Sequence, residues 1–229
     1  MSEAVFVLVH SPLVGPMTWE PVAERLVREG HDVLVPRLSR PAGVRRPYSL
    51  QYALEVAGAA SLVPPGKPIV LVGHSNAGQR LASFRQEIAA PVAAYVLVDS
   101  ALPERTLSEE GRSYLVQRRR QAVEGMIEPW TEDELAPALP DPVLRRRFVA
   151  EITAWPLAFF EEEIPVFVGW PDVPCAYIRF TANYRAATER AIREGWPLIE
   201  FDGADHFHML VDPEAVADSL LEASRRLLI

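Results

Sequence analysis

The chain has 229 residues, 49% of them hydrophobic and 24% charged, with a net charge of −8 at pH 7. That length is enough for a full core and suits one domain with an insertion, while the acidic balance argues against a nucleic-acid partner, whose phosphates call for clustered Lys and Arg. Its lone cysteine, Cys175, rules out a disulfide within the chain and reads as a buried, inert thiol of a reducing, cytoplasmic setting.

Met1-Ser2-Glu3-Ala4 carries no basic region ahead of Val5-Phe6-Val7-Leu8-Val9, and His10 follows at once, so no signal peptide is read. No apolar stretch approaches the roughly 20 residues that cross a bilayer. Short apolar runs then alternate with amphipathic stretches. Strands are predicted at Val5 to Val9, Asp32 to Val35, Ile69 to Val72, Ala94 to Val98, Ala176 to Phe180 and Leu198 to Phe201; helices at Trp19 to Arg28, Leu50 to Ala60, Ala77 to Ala89, Tyr184 to Arg193 and Pro213 to Leu228. The alternation implies crossover connections: an α/β fold, an open, mostly parallel, doubly wound sheet of about six strands with helices on both faces. Asp212 before Pro213 gives the last helix a cap and a proline at its first position.

From about Pro103 to Pro165 the rhythm breaks. This stretch is strand-poor, rich in charge and proline, and helix-like at Glu109 to Glu124, Glu132 to Ala138 and Pro142 to Ala154. The division it suggests is a core of residues 1–103 and 166–229 with a helical lid at 104–165. Trp130, Trp155, Phe159 and Phe160 offer the lid enough aromatic surface to roof a pocket, and packing onto the core is an equally good use for each. The triplets Arg118-Arg119-Arg120 and Arg145-Arg146-Arg147 share this region with Glu161-Glu162-Glu163, so salt bridges on solvated faces account for them better than an anion site. The loop Leu38 to Pro47 reads as a surface connection near the active-site edge.

Gly73-His74-Ser75-Asn76-Ala77 follows the apolar run Ile69 to Val72 and opens a helical stretch. Strand, tight turn and helix form the setting of a nucleophile elbow, where strained backbone lifts a serine hydroxyl clear of the sheet and small neighbours let strand and helix pass. A serine hydroxyl is a poor nucleophile until an imidazole takes its proton. Of five histidines, His31 reads as surface, His10 as structural or pocket wall and His74 as packed within the elbow. His206 and His208 stand together before the last helix, and no third ligand at useful spacing supports a metal there.

These segments, with Phe6-Val7-Leu8-Val9-His10-Ser11 and Trp19, Val98-Asp99-Ser100-Ala101-Leu102-Pro103 and Gly203-Ala204-Asp205-His206-Phe207-His208, resemble the α/β-hydrolase superfamily. Within it the chain is similar to the compact members related to plant hydroxynitrile lyases and small esterases. The resemblance implies that His206 is the general base. It places the orienting acid after the strand that follows the elbow helix, where Asp99 stands; the alternatives are Asn183, in place of aspartate after the strand at Ala176 to Phe180, as a neutral orienter, or no third member. It implies an oxyanion hole built from the Asn76 N–H and the loop His10-Ser11-Pro12-Leu13. Pro12 falls at the donor position and has no N–H, which leaves the Leu13 N–H or the Ser11 hydroxyl. Pro12, His10, Trp130, Trp155 and Phe159 are the expected substrate wall.

The leading expectation is a serine hydrolase acting through an acyl-enzyme on a small, largely apolar ester or related acyl compound, with no cofactor, no metal and a small-molecule substrate as its only partner. A lyase, cyclase or isomerase on the same scaffold, in which Ser75 and His206 shuttle protons, stands beside it, as does a silent ligand-binding protein. Oligomeric state is left open.

Overall fold

The computed structural model describes residues 4–40, 44–106 and 108–228. Its elements are β1 (Val5–Val9), α1 (Glu20–Arg28), β2 (Val33–Leu34), α2 (Tyr48–Ala60), β3 (Ile69–His74), a 3-10 turn (Ser75–Arg80) leading into α3 (Leu81–Glu87), and β4 (Val92–Val98). Then come α4 (Glu109–Gln121), β5 (Met126–Ile127), α5 (Glu132–Leu135), α6 (Pro142–Val149), β6 (Trp155–Pro156) and α7 (Leu157–Glu161). The chain closes with β7 (Cys175–Arg179), α8 (Arg185–Arg193), β8 (Leu198–Glu200), α9 (His208–Val211) and α10 (Pro213–Leu227). Met1 to Glu3, part of the segment read for a leader, and Pro41 to Gly43 of the loop before α2 lie outside the described residues.

Six strands form one sheet in the order β2-β1-β3-β4-β7-β8, and every pair is parallel. Side chains along a strand point alternately to the two faces, and the chain fills both. Val5, Val7, Val9, Leu71, Tyr95 and Leu97 pack against α2 and α3 through Tyr52, Val56, Leu81 and Phe84. Phe6, Leu8, Val70, Val72, Val96 and Val98 pack against α1 and α10 through Val22, Leu26, Val216 and Leu220. Burial on both faces is why the central strands read as unbroken apolar runs. The short edge strands β2 and β8 are only partly buried.

Several ends fall elsewhere than the pattern predicts, and each has a local cause. Helix α2 starts at Tyr48 because the Glu162 carboxylate accepts the Tyr48 and Ser49 N–H groups at 2.7 and 2.6 Å, a cap 113 or more residues away in sequence. β7 stops at Arg179 because the Phe180 N–H donates to Asp99 Oδ1 at 3.0 Å instead of to a strand. The stretch after Ser75 winds as a 3-10 turn before becoming α-helical, and the helix ends at Glu87, short of Ala89. Between β4 and β7 the helices are shorter than predicted. The two-residue strands β5 and β6, paired antiparallel, and the short α7 are too brief to leave a periodic signal. Caps hold the pieces: Ser108 Oγ accepts the Gly111 N–H, Thr131 and Glu134 form a capping box, and Asp141 accepts the Val143 and Leu144 N–H groups. Among the described residues no helix is long and apolar enough to cross a membrane.

The turn after β3 is a close backbone crossing. A Cβ on Gly73 would lie 2.8 Å from Gly78 Cα and 2.9 Å from Gly78 N, contacts that only backbone movement relieves. A Cβ on Gly58, within α2, meets nothing within 4 Å. Gly73→Ala should therefore cost about 1–3 kcal/mol, whereas Gly58→Ala should be neutral or stabilise by about 0.5–1 kcal/mol. Urea unfolding of the two variants checks both signs.

Candidate active site

β3 is a central strand, and its exit sets the first functional side chain. Ser75 follows immediately with φ 56°, a left-handed conformation that a serine adopts only where the surroundings impose it. Parallel pairing of Val9 with Gly73 brings β1 and β3 to an end side by side, so that the loop after β1 leaves the same end of the sheet as Ser75. β4 delivers the second group. Asp99, directly after Val98, also has positive φ, 40°, and the next residue is clamped: the Ser100 N–H donates to the Tyr177 hydroxyl at 3.2 Å and that hydroxyl donates to the Ser100 carbonyl at 2.6 Å.

The Asp99 carboxylate is fully buried. It accepts the Phe180 and Thr181 N–H groups at 3.0 and 2.8 Å, the Thr181 hydroxyl, and His206 Nδ1 at 2.6 Å. Burial works to raise its pKa, but the hydrogen bond and charge of His206 and the Thr181 N–H outweigh it and hold the carboxyl below the ordinary aspartate range. An ionised acceptor at Nδ1 leaves His206 Nε2 without a proton, and Nε2 faces Ser75 Oγ at 2.9 Å. Ser75, His206 and Asp99, drawn from three loops at the carboxyl ends of the strands, thus form one hydrogen-bonded chain. The imidazole is the accessible link, its side chain 23% exposed against 0% for the acid.

His74 supports this chain from below. It is fully buried, its Nε2 donates to the His206 carbonyl at 2.9 Å, and the two rings lie 4.5 Å apart. Burial drives its pKa far down, so it stays neutral and adds no charge against a protonated His206. Tyr184, unnoticed in the sequence, lies with its ring 5.9 Å from His206, and its phenol, raised by burial, interacts with the Ser75 hydroxyl. Its only sequence signal was adjacency to the segment read for the acid.

The other expected residues are placed differently. Asn183 is exposed, and its N–H donates to Thr181 Oγ1 at 3.3 Å, while Thr181 and Asp99 occupy the space beside His206. The Leu13 N–H is committed to Ser11 Oγ at 3.2 Å, so it does not point to a substrate oxygen; accepting that bond leaves the Ser11 hydroxyl proton to donate. His10 is not open wall: its Nδ1 donates to the Ser11 carbonyl at 2.8 Å and its Nε2 accepts the Leu38 N–H at 3.5 Å. Pro12 is buried in the same loop. Trp155 and Phe159 are buried among core aromatics around Tyr52, and Trp130 packs on Phe207 and lines a small recess with Leu13, Trp155 and Phe160. Phe159 also walls a cavity of about 230 Å³ that Asn76, Arg80, Leu102 and Tyr114 line with it.

The alpha/beta hydrolase family matches residues 6–219 of the chain. Methylesterase 8 of Arabidopsis thaliana is 24% identical, the match taking in 96% of this chain and 89% of that protein. Among solved structures, tomato methylketone synthase I complexed with 2-tridecanone superposes with a TM-score of 0.70 at 17% identity, covering 99% of this chain and all of that one. A thermophilic esterase from Thermogutta terrifontis gives 0.70 at 20% identity, covering 99% and 91%. The structural likenesses show the shared fold.

His10 makes stability depend on pH. Burial lowers its pKa from 6.5 to about 4 against the pull of the Ser11 and Pro36 carbonyls. As pH falls the unfolded chain takes up this proton first, so the contribution of His10 is whole above pH 6.5 and is lost toward pH 4. About 2 kcal/mol should disappear between pH 7 and pH 5 from this ring. His10→Gln, which cannot titrate, should lose about 2 kcal/mol less than the wild type over that interval; equal losses in urea melts at the two pH values would show that the ring is not held neutral.

Proposed function

The chain belongs to the alpha/beta hydrolase family, and from that premise we propose that it is a carboxylesterase-like serine hydrolase that opens small, largely apolar esters through an acyl-enzyme. The observation that carries the reading is the unbroken relay from Asp99 through His206 to Ser75. The Ser75 hydroxyl gives its proton to His206 Nε2 as Oγ attacks the acyl carbon, and the buried Asp99 charge stabilises the imidazolium so formed. The proton then passes to the leaving alkoxide, and water repeats the sequence to free the acid. Developing negative charge falls to the Asn76 N–H at the start of the helical turn and to the Ser11 hydroxyl. Residues 104–165 act as the lid over this chemistry, and the setting is cytoplasmic. The names of the Arabidopsis methylesterase and the Thermogutta esterase support ester substrates.

A second reading has its own observation. Pro12 supplies no N–H where the loop should donate, and the tomato relative is named for ketone synthesis. On that reading Ser75 and His206 move protons in a lyase, cyclase or isomerase reaction without acylation.

A fluorophosphonate probe should label Ser75, seen as an added mass in the intact protein, and Ser75→Ala should fold and lose ester turnover. Asp99→Asn should lower turnover by about 10,000-fold at neutral pH, and the exposed Asn183, changed to Ala, should leave it nearly unchanged. A folded wild type that is neither labelled nor active on p-nitrophenyl esters would reject the hydrolase reading.

The oxyanion assignment has a separate check. Ser11→Ala should cost about 100- to 1000-fold in kcat, and adding Pro12→Ala, which introduces an N–H at the family's donor position, should recover part of the loss. Strictly additive effects in the double-mutant cycle would mean that the two positions serve no common oxyanion.

A further inference from the structure

Arg80 is the last residue of the turn that Ser75 begins, and it is 1% exposed. Its Nε donates to Asn76 Oδ1 at 2.8 Å and its Nη1 to Ser49 Oγ at 2.6 Å, while the guanidinium lies 4.4 Å from the centre of the Phe159 ring. Among the described residues Arg80 makes no ion pair, and its hydrogen bonds use Nε and Nη1 and leave Nη2 aside. The favourable charge that acts on it most is Glu162, whose two oxygens are taken by the Tyr48 and Ser49 N–H groups. Burial lowers the Arg80 pKa to about 10, which leaves it cationic at neutral pH. A buried cation without a bonded anion is an expensive arrangement for packing alone, and this one lines a cavity that Asn76, the residue after Ser75, also lines.

We propose that Arg80 is the floor of a carboxylate subsite, so that the preferred ester carries a free carboxylate at the far end of its acyl chain. The proposal rests on the esterase reading and sharpens its substrate class to half-esters of small dicarboxylic acids. A planar guanidinium with an unengaged amino group suits the two oxygens of a carboxylate, and a cavity of about 230 Å³ suits a short chain. Of the acidic residues that share the cavity, Glu162 is the one whose charge acts on Arg80, and both its oxygens are held by backbone N–H groups of α2. Glu161 is paired with Arg119 at 2.7 Å, and Glu163 and Arg105, also on the wall, are exposed to solvent. Half-buried Glu104, also on the wall, has its pKa raised by burial against the opposing pull of Arg190 and the Ser108 N–H. The rival role, a brace tying the turn to α2 and Phe159, uses Nε and Nη1 and gives no use for Nη2.

The test compares monomethyl esters of C4 to C8 dicarboxylic acids with the matching dimethyl esters. The wild type should prefer the half-ester of at least one chain length in kcat/KM, and Arg80→Gln should lower that preference by about ten- to hundredfold, with Arg80→Lys keeping part of it. No half-ester preference in an active wild type, or the same preference in wild type and Arg80→Gln, overturns the subsite and leaves a brace. If the wild type hydrolyses neither series, the esterase reading fails on its own account, and calorimetry on Ser75→Ala decides the subsite. Half-ester bound at least about tenfold more tightly than diester sustains it; equal affinity overturns it. The same calorimetry decides the matter should Arg80→Gln not fold.

Discussion

The buried Asp99 carboxylate is the point on which the site is built. It gathers donors from two places far apart in sequence, the end of β7 through Phe180 and Thr181 and the loop before α9 through His206. Each bond is worth more in the dry interior than at the surface, and an unpaired carboxylate there would be costly, so the acid fixes where β7 ends and where the histidine loop lies. The positive φ at both Asp99 and Ser75 shows the same requirement in the backbone. Two strained corners, one after β4 and one after β3, are held by the parallel sheet between them.

Neutral histidines complete the electrostatics. His74 and His10 are buried, and burial lowers both pKa values, so each serves as an uncharged hydrogen-bonding tie: His74 to the His206 carbonyl, His10 between the first loop and Leu38. A charged ring beneath His206 would oppose formation of an imidazolium. Keeping those rings neutral reserves the carboxylate's field for the one imidazole that touches Ser75. Arg80 is the exception, a buried charge with spare hydrogen-bonding capacity beside the elbow.

The strands of the sheet, the helices between them and the tight turn at Ser75 were legible in the sequence because each follows from local pattern: apolar runs of strand length, small residues around Ser75, a capped last helix. Asp99 stood ahead of Asn183 and of no third member only because it carries a charge; its place beside His206 depends on Thr181 and on a backbone turn visible only in three dimensions. Long-range side chains were invisible for the same reason. Glu162 capping α2, Tyr184 beside His206 and Arg80 under the cavity act on partners that sequence spacing does not bring together. In the first loop, of the two roles open to His10 the structure shows the structural one, and of the two offered donors the Leu13 N–H is taken up by Ser11 Oγ.

The central claim is that Asp99 fixes the proton of His206 on Nδ1 and so leaves Nε2 free to take the proton of Ser75. Nitrogen-detected NMR of protein labelled at its histidines reads tautomers directly. With both rings neutral, His206 should carry its proton on Nδ1 and His74 on Nε2, and Asp99→Asn should abolish the preference at His206 while leaving His74 as it was. A His206 protonated on Nε2 in the folded wild type would contradict the account.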